Sequence, residues 1–164
     1  MRIVAALCLI ILTSSGCARL LGRGSASTEG VVASPVDTTL KIAVAQLQAA
    51  GFSVQEMGEG SAYTLPRDIP AALADSSTRS VGDKWFITVR VGRESYAAGS
   101  RLTVDGFIVP RSAMNGPSGS TYPTVKITSK QRALYRSVQD ITVRIARAAN
   151  KAGPRQTGPR ATGD

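Results

Sequence analysis

The sequence contains no histidine. That removes the side chain that most often serves as general base, transition-metal ligand and near-neutral pH switch. It contains two cysteines, Cys8 and Cys17, both close to the N-terminus. The body of the chain therefore has no thiol, no disulfide and no cysteine-pair spacing for a metal, and must be stable without staples. Aromatic residues are 5% of the total, so a core has to be made of Val, Ile, Leu and Ala, with Phe52, Trp85, Phe86 and Phe107 as its few large pieces. No apolar run approaches the roughly 20 residues that a bilayer-spanning helix requires.

These absences narrow the chemistry. Without histidine, a nucleophilic serine would need a lysine beside it, yet Lys84, Lys126 and Lys130 stand in no Ser-x-x-Lys spacing. The acidic residues fall mostly in turns, caps and loops rather than as a facing pair. The glycine-rich stretch Gly92–Ser100 lacks the Gly-Lys-Ser/Thr ending of a phosphate-cradling loop. The expectation is a protein that is not an enzyme, with no catalytic residue, no metal and no cofactor. Asp105 stands out because aspartate is disfavoured in mid-strand. On an outward face it reads as a solvated carboxylate, with edge protection or binding as the other reading.

What is present fits one ordinary domain. The chain has 164 residues, 43% apolar and 19% charged, a composition that supports one packed core. The net charge of +9 is unevenly placed. Residues 18–125 hold ten basic and nine acidic side chains, whereas residues 126–164 hold nine basic and two acidic.

The first sixteen residues read as a secretory signal: Arg2, an apolar run from Ile3 to Thr13, then Ser14-Ser15-Gly16. Ser14-Ser15-Gly16-Cys17 resembles the lipobox of bacterial lipoproteins, with Ser14 where that family usually has leucine. The resemblance implies that Cys17 is the first mature residue and carries acyl chains, giving a membrane partner through a lipid anchor. It further implies, from Ala18 in the next position, an outer-membrane address facing the periplasm. Several acyl chains on one cysteine hold durably where a single chain does not. Residues 17–33, rich in Gly, Ser and Ala, read as a flexible tether reaching about 20–25 Å.

Behind the tether, residues 34–151 read as the domain. Ser34 as N-cap, Pro35 at the first helical position and Asp37 as an acidic third residue predict a helix start. Val36, Leu40, Ala43, Val44, Leu47 and Ala50 make one apolar stripe, and Gly51-Phe52 supplies a left-handed stop. The period then changes to two. Residues 52–57 and 61–65 predict a hairpin, residues 66–83 a loop with a short helical turn at 71–74, and residues 84–91 and 101–109 a second antiparallel pair. Residues 124–128 predict a short edge strand. Thr128-Ser129-Lys130-Gln131 reads as a capping box opening a second helix to about Ala149, with Leu134, Val138, Ile141, Ile145 and Ala148 as its buried stripe. Residues 152–164, with two Gly-Pro-Arg tripeptides, read as a disordered tail.

Helix, strands, helix without helical crossovers predicts an α+β two-layer sandwich: an antiparallel sheet of four to five strands with both helices on one face. In element order, and in the Ala-Gly-Phe exit of its first helix, the chain resembles small helix-flanked-sheet domains of envelope lipoproteins, such as those of helix-grip or secretin-short-domain layout. Opposite the apolar stripe of the last helix fall Arg132, Arg136, Arg147 and Lys151, at about 160–260° round the wheel from Leu134. Such a row suits an anionic partner, and it equally describes an ordinary solvated helix face. The expected function is that of a cell-envelope binding or scaffolding module for an envelope protein or an anionic envelope component. The alternative is an exported nucleic-acid-binding protein using the same basic helix and tail, which export disfavours.

Overall fold

The computed structural model describes residues 27–94, 99–111 and 124–153. The predicted signal of residues 1–16, Cys17, the first part of the predicted tether and the predicted tail beyond Gly153 lie outside the described residues.

Among the described residues the chain runs β1 (Ser27–Val32), α1 (Val36–Ala49), β2 (Val54–Gly58), β3 (Ser61–Thr64), β4 (Arg67–Asp68), a 3-10 turn (Ala71–Leu73), α2 (Ser76–Arg79), β5 (Gly82–Arg93), β6 (Ser100–Pro110), β7 (Val125–Lys126) and α3 (Arg132–Ala152). The strands form one antiparallel sheet in the order β1-β6-β5-β3-β2, with β4 paired to β5 and β7 to β6. The fold is α+β, as the change of hydrophobic period predicts, but the sheet has seven strands rather than four or five.

The central pair β5–β6 follows from strict alternation. Trp85, Ile87, Val89 and Val91 are buried and lie opposite Ile108, Gly106, Val104 and Leu102. Cross-strand partners share a face, so this set makes the floor of the core. Leu47 and Ala43 from α1, and Leu134, Val138, Ile141 and Ile145 from α3, close over it as one apolar cluster. Each Leu, Ile or Val side chain of this cluster contributes about 1.5–3 kcal/mol on full burial. Gly106 matters by its size: a Cβ there would lie 2.7 Å from a Val138 methyl and 2.9 Å from an Ile127 methyl. α3 can therefore sit directly on β6.

The exit of α1 is a Schellman turn. The Phe52 amide donates to the Leu47 carbonyl (3.1 Å) and the Gly51 amide to the Gln48 carbonyl (2.8 Å), with Gly51 at φ +83°. Arg67 completes it. Its Nη1 donates to the carbonyls of Ala50 (3.0 Å) and Gly51 (2.9 Å), and its guanidinium lies 3.9 Å over the Phe52 ring. A cation is thus placed on the negative end of the helix and on an aromatic face together. Phe52 in turn meets Trp85 edge-on at 5.1 Å.

Several expectations are corrected. The stretch from Ser27 to Val32 is a strand paired with β6, not tether: Thr28 and Val32 are buried, and tertiary pairing overrides a Gly/Ser/Ala composition. The N-cap of α1 is Pro35, with no side-chain cap bond. Ser34 instead turns inward, its Oγ 2.7 Å from Thr39 Oγ1, which lies 2.8 Å from Ser100 Oγ, while Ser100 Oγ donates to the Ser34 carbonyl. Residues 66–83, predicted as a loop with a short helical turn at 71–74, do hold that turn, as the 3-10 segment Ala71–Leu73, but also include β4 and α2. α2 is capped by Asp75, whose Oδ1 accepts from the Thr78 amide at 2.7 Å. Half of the capping box before α3 forms: Gln131 Oε1 accepts from the Thr128 amide (3.1 Å), but Thr128 Oγ1 faces the Lys130 amide. α3 begins at Arg132, runs to Ala152, and buries Ala149 rather than Ala148.

Replacing Gly51 by Val should destabilise the domain by about 1–3 kcal/mol, because a β-branched residue is strained at positive φ. Its Cβ would also crowd Arg67 Nη1 at 3.1 Å. A urea melt of the two proteins reads this directly, and equal midpoints would show that the turn tolerates a side chain.

Candidate functional site

The residues with chemistry to offer divide between the two surfaces of the sandwich. On the outer face of the sheet, away from the helices, most cations are paired, Lys84 being an exception among the described residues. Arg101 pairs with Glu29 (3.0 Å) and Glu94 (3.2 Å), and Arg111 with Asp83 (3.3 Å). Asp105 is the centre of the tightest group. Lys126 Nζ stands 2.7 Å from its Oδ1 and Arg90 Nη2 3.3 Å from its Oδ2. Both cations are contributed by neighbouring strands, β5 through Arg90 and β7 through Lys126. Phe86 and Phe107 stack beside them at 5.2 Å.

Asp105 is therefore not the solvated carboxylate expected of an outward mid-strand position: it is 3% exposed. Burial opposes its ionisation. Hydrogen bonds from Lys126 and Ser27, with the charges of Lys126 and Arg90, outweigh that cost and hold the carboxyl below its usual range. Each strand of the β1–β6–β7 side sends one group to this carboxylate or carries it, so it ties the edge of the sheet together.

α3 presents the opposite arrangement. Arg132, Arg136, Arg147 and Lys151, the four residues picked out on the helical wheel, are all exposed. Arg144, outside the predicted window, is exposed as well. No ion pair within 4.0 Å involves any of the five among the described residues. Asp140 is the one acidic residue of the helix. At 1.5 Å per residue the row extends about 28 Å from Arg132 to Lys151. The helix brings these groups onto one long face rather than into a pocket, which suits electrostatic docking and not the convergent geometry of catalysis. Arg147 also reaches the rim of a groove between α3 and β1.

Two contributors to this surface were not read from the sequence. Arg144 fell just outside the angular window, and widening the window to the whole exposed arc would have found it. β1 carried only a weak signal, Val31-Val32 after Thr28, inside a linker-like composition.

Among the described residues no three acidic or cysteine side chains lie together as a metal site would require, and no helix is long and apolar enough to cross a membrane. Fold and surface together define a small helix-backed antiparallel sheet with one cationic helix face. Compared with known proteins, the chain matches no family model and no curated sequence.

A carboxyl with a lowered pKa stabilises the fold fully above its unfolded value, about 3.9, and loses that contribution as pH falls through its folded value. Asp105→Asn should cost about 1 kcal/mol near neutrality, since Arg90 is largely and Lys126 partly solvated. The gap from wild type should close as the pH is lowered below about 4. Asp75, also held low, by hydrogen bonds from Ser77 and Thr78, titrates in both proteins and cancels. Thermal melts across pH check this; a gap constant from pH 7 to pH 3 would show that the charge of Asp105 is not what stabilises the sheet edge.

Proposed function

We propose that this chain is a non-enzymatic binding module of the cell envelope, held at a membrane by acyl chains on Cys17. Its contact with an acidic envelope protein or another anionic envelope component is made through α3. One observation carries this reading. Arg90, Arg101 and Lys126 of the sheet, and Arg111 just after β6, are each matched by a carboxylate. Lys84 and Arg93 of β5 have no ion pair among the described residues, but only α3 sets five such cations on one exposed helix. A solvated helix face usually interleaves both signs; this one has a single aspartate. Each Lys or Arg near an anionic surface contributes about 1 kcal/mol, enough in a row of five to select an acidic partner and to speed its approach. The anchor adds effective concentration, confining the module to a thin layer next to its partner.

Two measurements test this. Arg132, Arg136 and Arg147 changed together to Gln should leave the melting temperature unchanged and weaken binding of the full chain to immobilised polyglutamate by about tenfold or more at low salt. Undiminished binding would reduce the face to a solvated surface. Stronger retention of DNA than of polyglutamate, equally lost in the triple variant, would favour a nucleic-acid partner. For the anchor, labelled fatty acid should be incorporated by the wild type and not by Cys17→Ala, with the variant leaving the membrane fraction. Equal fractionation of the two would remove the lipid from the reading.

A further inference from the structure

β1 is the last strand on its side of the sheet, so one row of its backbone N–H and C=O groups has no strand partner among the described residues. Along this edge α3 leaves a groove of about 270 Å³, lined by Gly30 and Val32 of β1 and by Thr142, Val143, Ala146 and Arg147 of α3. Gly30 pairs with Leu102, which is buried in the core, so position 30 faces the helix. A Cβ added there would meet nothing within 4 Å. Glycine on the strand and alanine on the helix hold the groove open. Its end is closed by Asn150, whose Oδ1 accepts from the Ala33 amide at 2.8 Å.

We propose, resting on the reading that α3 receives an anionic partner, that this groove binds an extended acidic segment of another polypeptide, which adds to the sheet as a strand beside β1. The free edge dictates an extended backbone, because only a strand satisfies its row of donors and acceptors. The small side chains at Gly30 and Ala146 dictate room for alternate side chains of that strand. The charge favours acidity: Arg147 stands at the rim, and Arg132 and Arg136 lie on the same flank of α3, about 160–220° from Leu134. Glu29, the one carboxylate of the lining, is held by Arg101 on the outer face. A second copy of this chain is disfavoured, since antiparallel pairing of two β1 strands sets two cationic helices side by side. The chain's own remaining segments do not match either, for residues 1–26, 95–98 and 112–123 hold no acidic residue, and residues 154–164 hold only Asp164.

The probe is a blocked, fluorescent peptide of alternating valine and glutamate, long enough to pair with all of β1. Its anisotropy is followed on titration with the full chain in detergent. Binding should weaken about tenfold or more in Gly30→Val and in Arg147→Glu. It should also be lost for a peptide N-methylated at alternate residues, which cannot donate to the edge, and for one with lysine in place of glutamate. Gly30→Val fills the groove without meeting its own protein, so its melting temperature should equal or exceed that of wild type. Peptide binding indifferent to Gly30→Val and to N-methylation, but lost with the Arg→Gln triple variant, overturns strand addition and leaves the cationic face standing. Binding indifferent to all of these overturns both. Self-association abolished by Gly30→Val, with no peptide bound, overturns the proposal in favour of a second copy.

Discussion

The seating of α3 on β6 is the constraint on which the rest depends. Leu134, Val138, Ile141, Ile145 and Ala149 are buried along one side of the helix, and Gly106 removes the one side chain that would hold the helix away. Once that stripe is fixed against the sheet, the rotation of the helix is fixed too. Every cation on its far side must then face outward together. The charged face is a consequence of how the core is packed, and its rigidity comes from the same contacts.

A second layer of constraint holds the junction where β1, α1 and α3 meet. Ser34, Thr39 and Ser100 are fully buried and satisfy one another, which fastens the start of α1 to the start of β6. Nearby, the Ala33 amide is received by Asn150 of α3. Buried polar groups carry a cost unless every partner is supplied; here they are supplied from α1, β6 and α3, which pins the segment joining β1 to α1. On the other face, Asp105 with Lys126 and Arg90 does the same for the β1–β6–β7 side by charge rather than by hydroxyls.

Much of the architecture was legible because it rests on local pattern. The alternation Trp85–Val91, the stripe of α3 and the Gly51-Phe52 stop each express a period or a backbone requirement within a few residues. Each is where the sequence places it, save that the stripe ends on Ala149 rather than Ala148. What was illegible depends on partners distant in the chain. Ser34 carries the chemistry of an N-cap, yet Thr39 takes its hydroxyl and Ser100 its carbonyl. Residues 27–32 have the composition of a linker and become a strand only because residues 100–105 offer an edge. Asp105 looks like a solvated residue until β7, two residues long and separated from β6 in the sequence by residues 111–124, brings Lys126 to it. The cations of α3 were visible on the wheel, but their lack of matching carboxylates is a property of the surface and not of the string.

The central claim is that the partner meets this domain along α3 and β1 and not across the outer face of the sheet. Site-specific photo-crosslinking in intact cells tests it most directly, with the reactive side chain placed at Val143 on the groove side or at Thr88 on the outer sheet face. The account predicts an adduct with an acidic polypeptide from position 143, lost when Arg147 is changed to Glu, and none from position 88. An adduct from position 88 alone, or one from position 143 that survives Arg147→Glu, would contradict it.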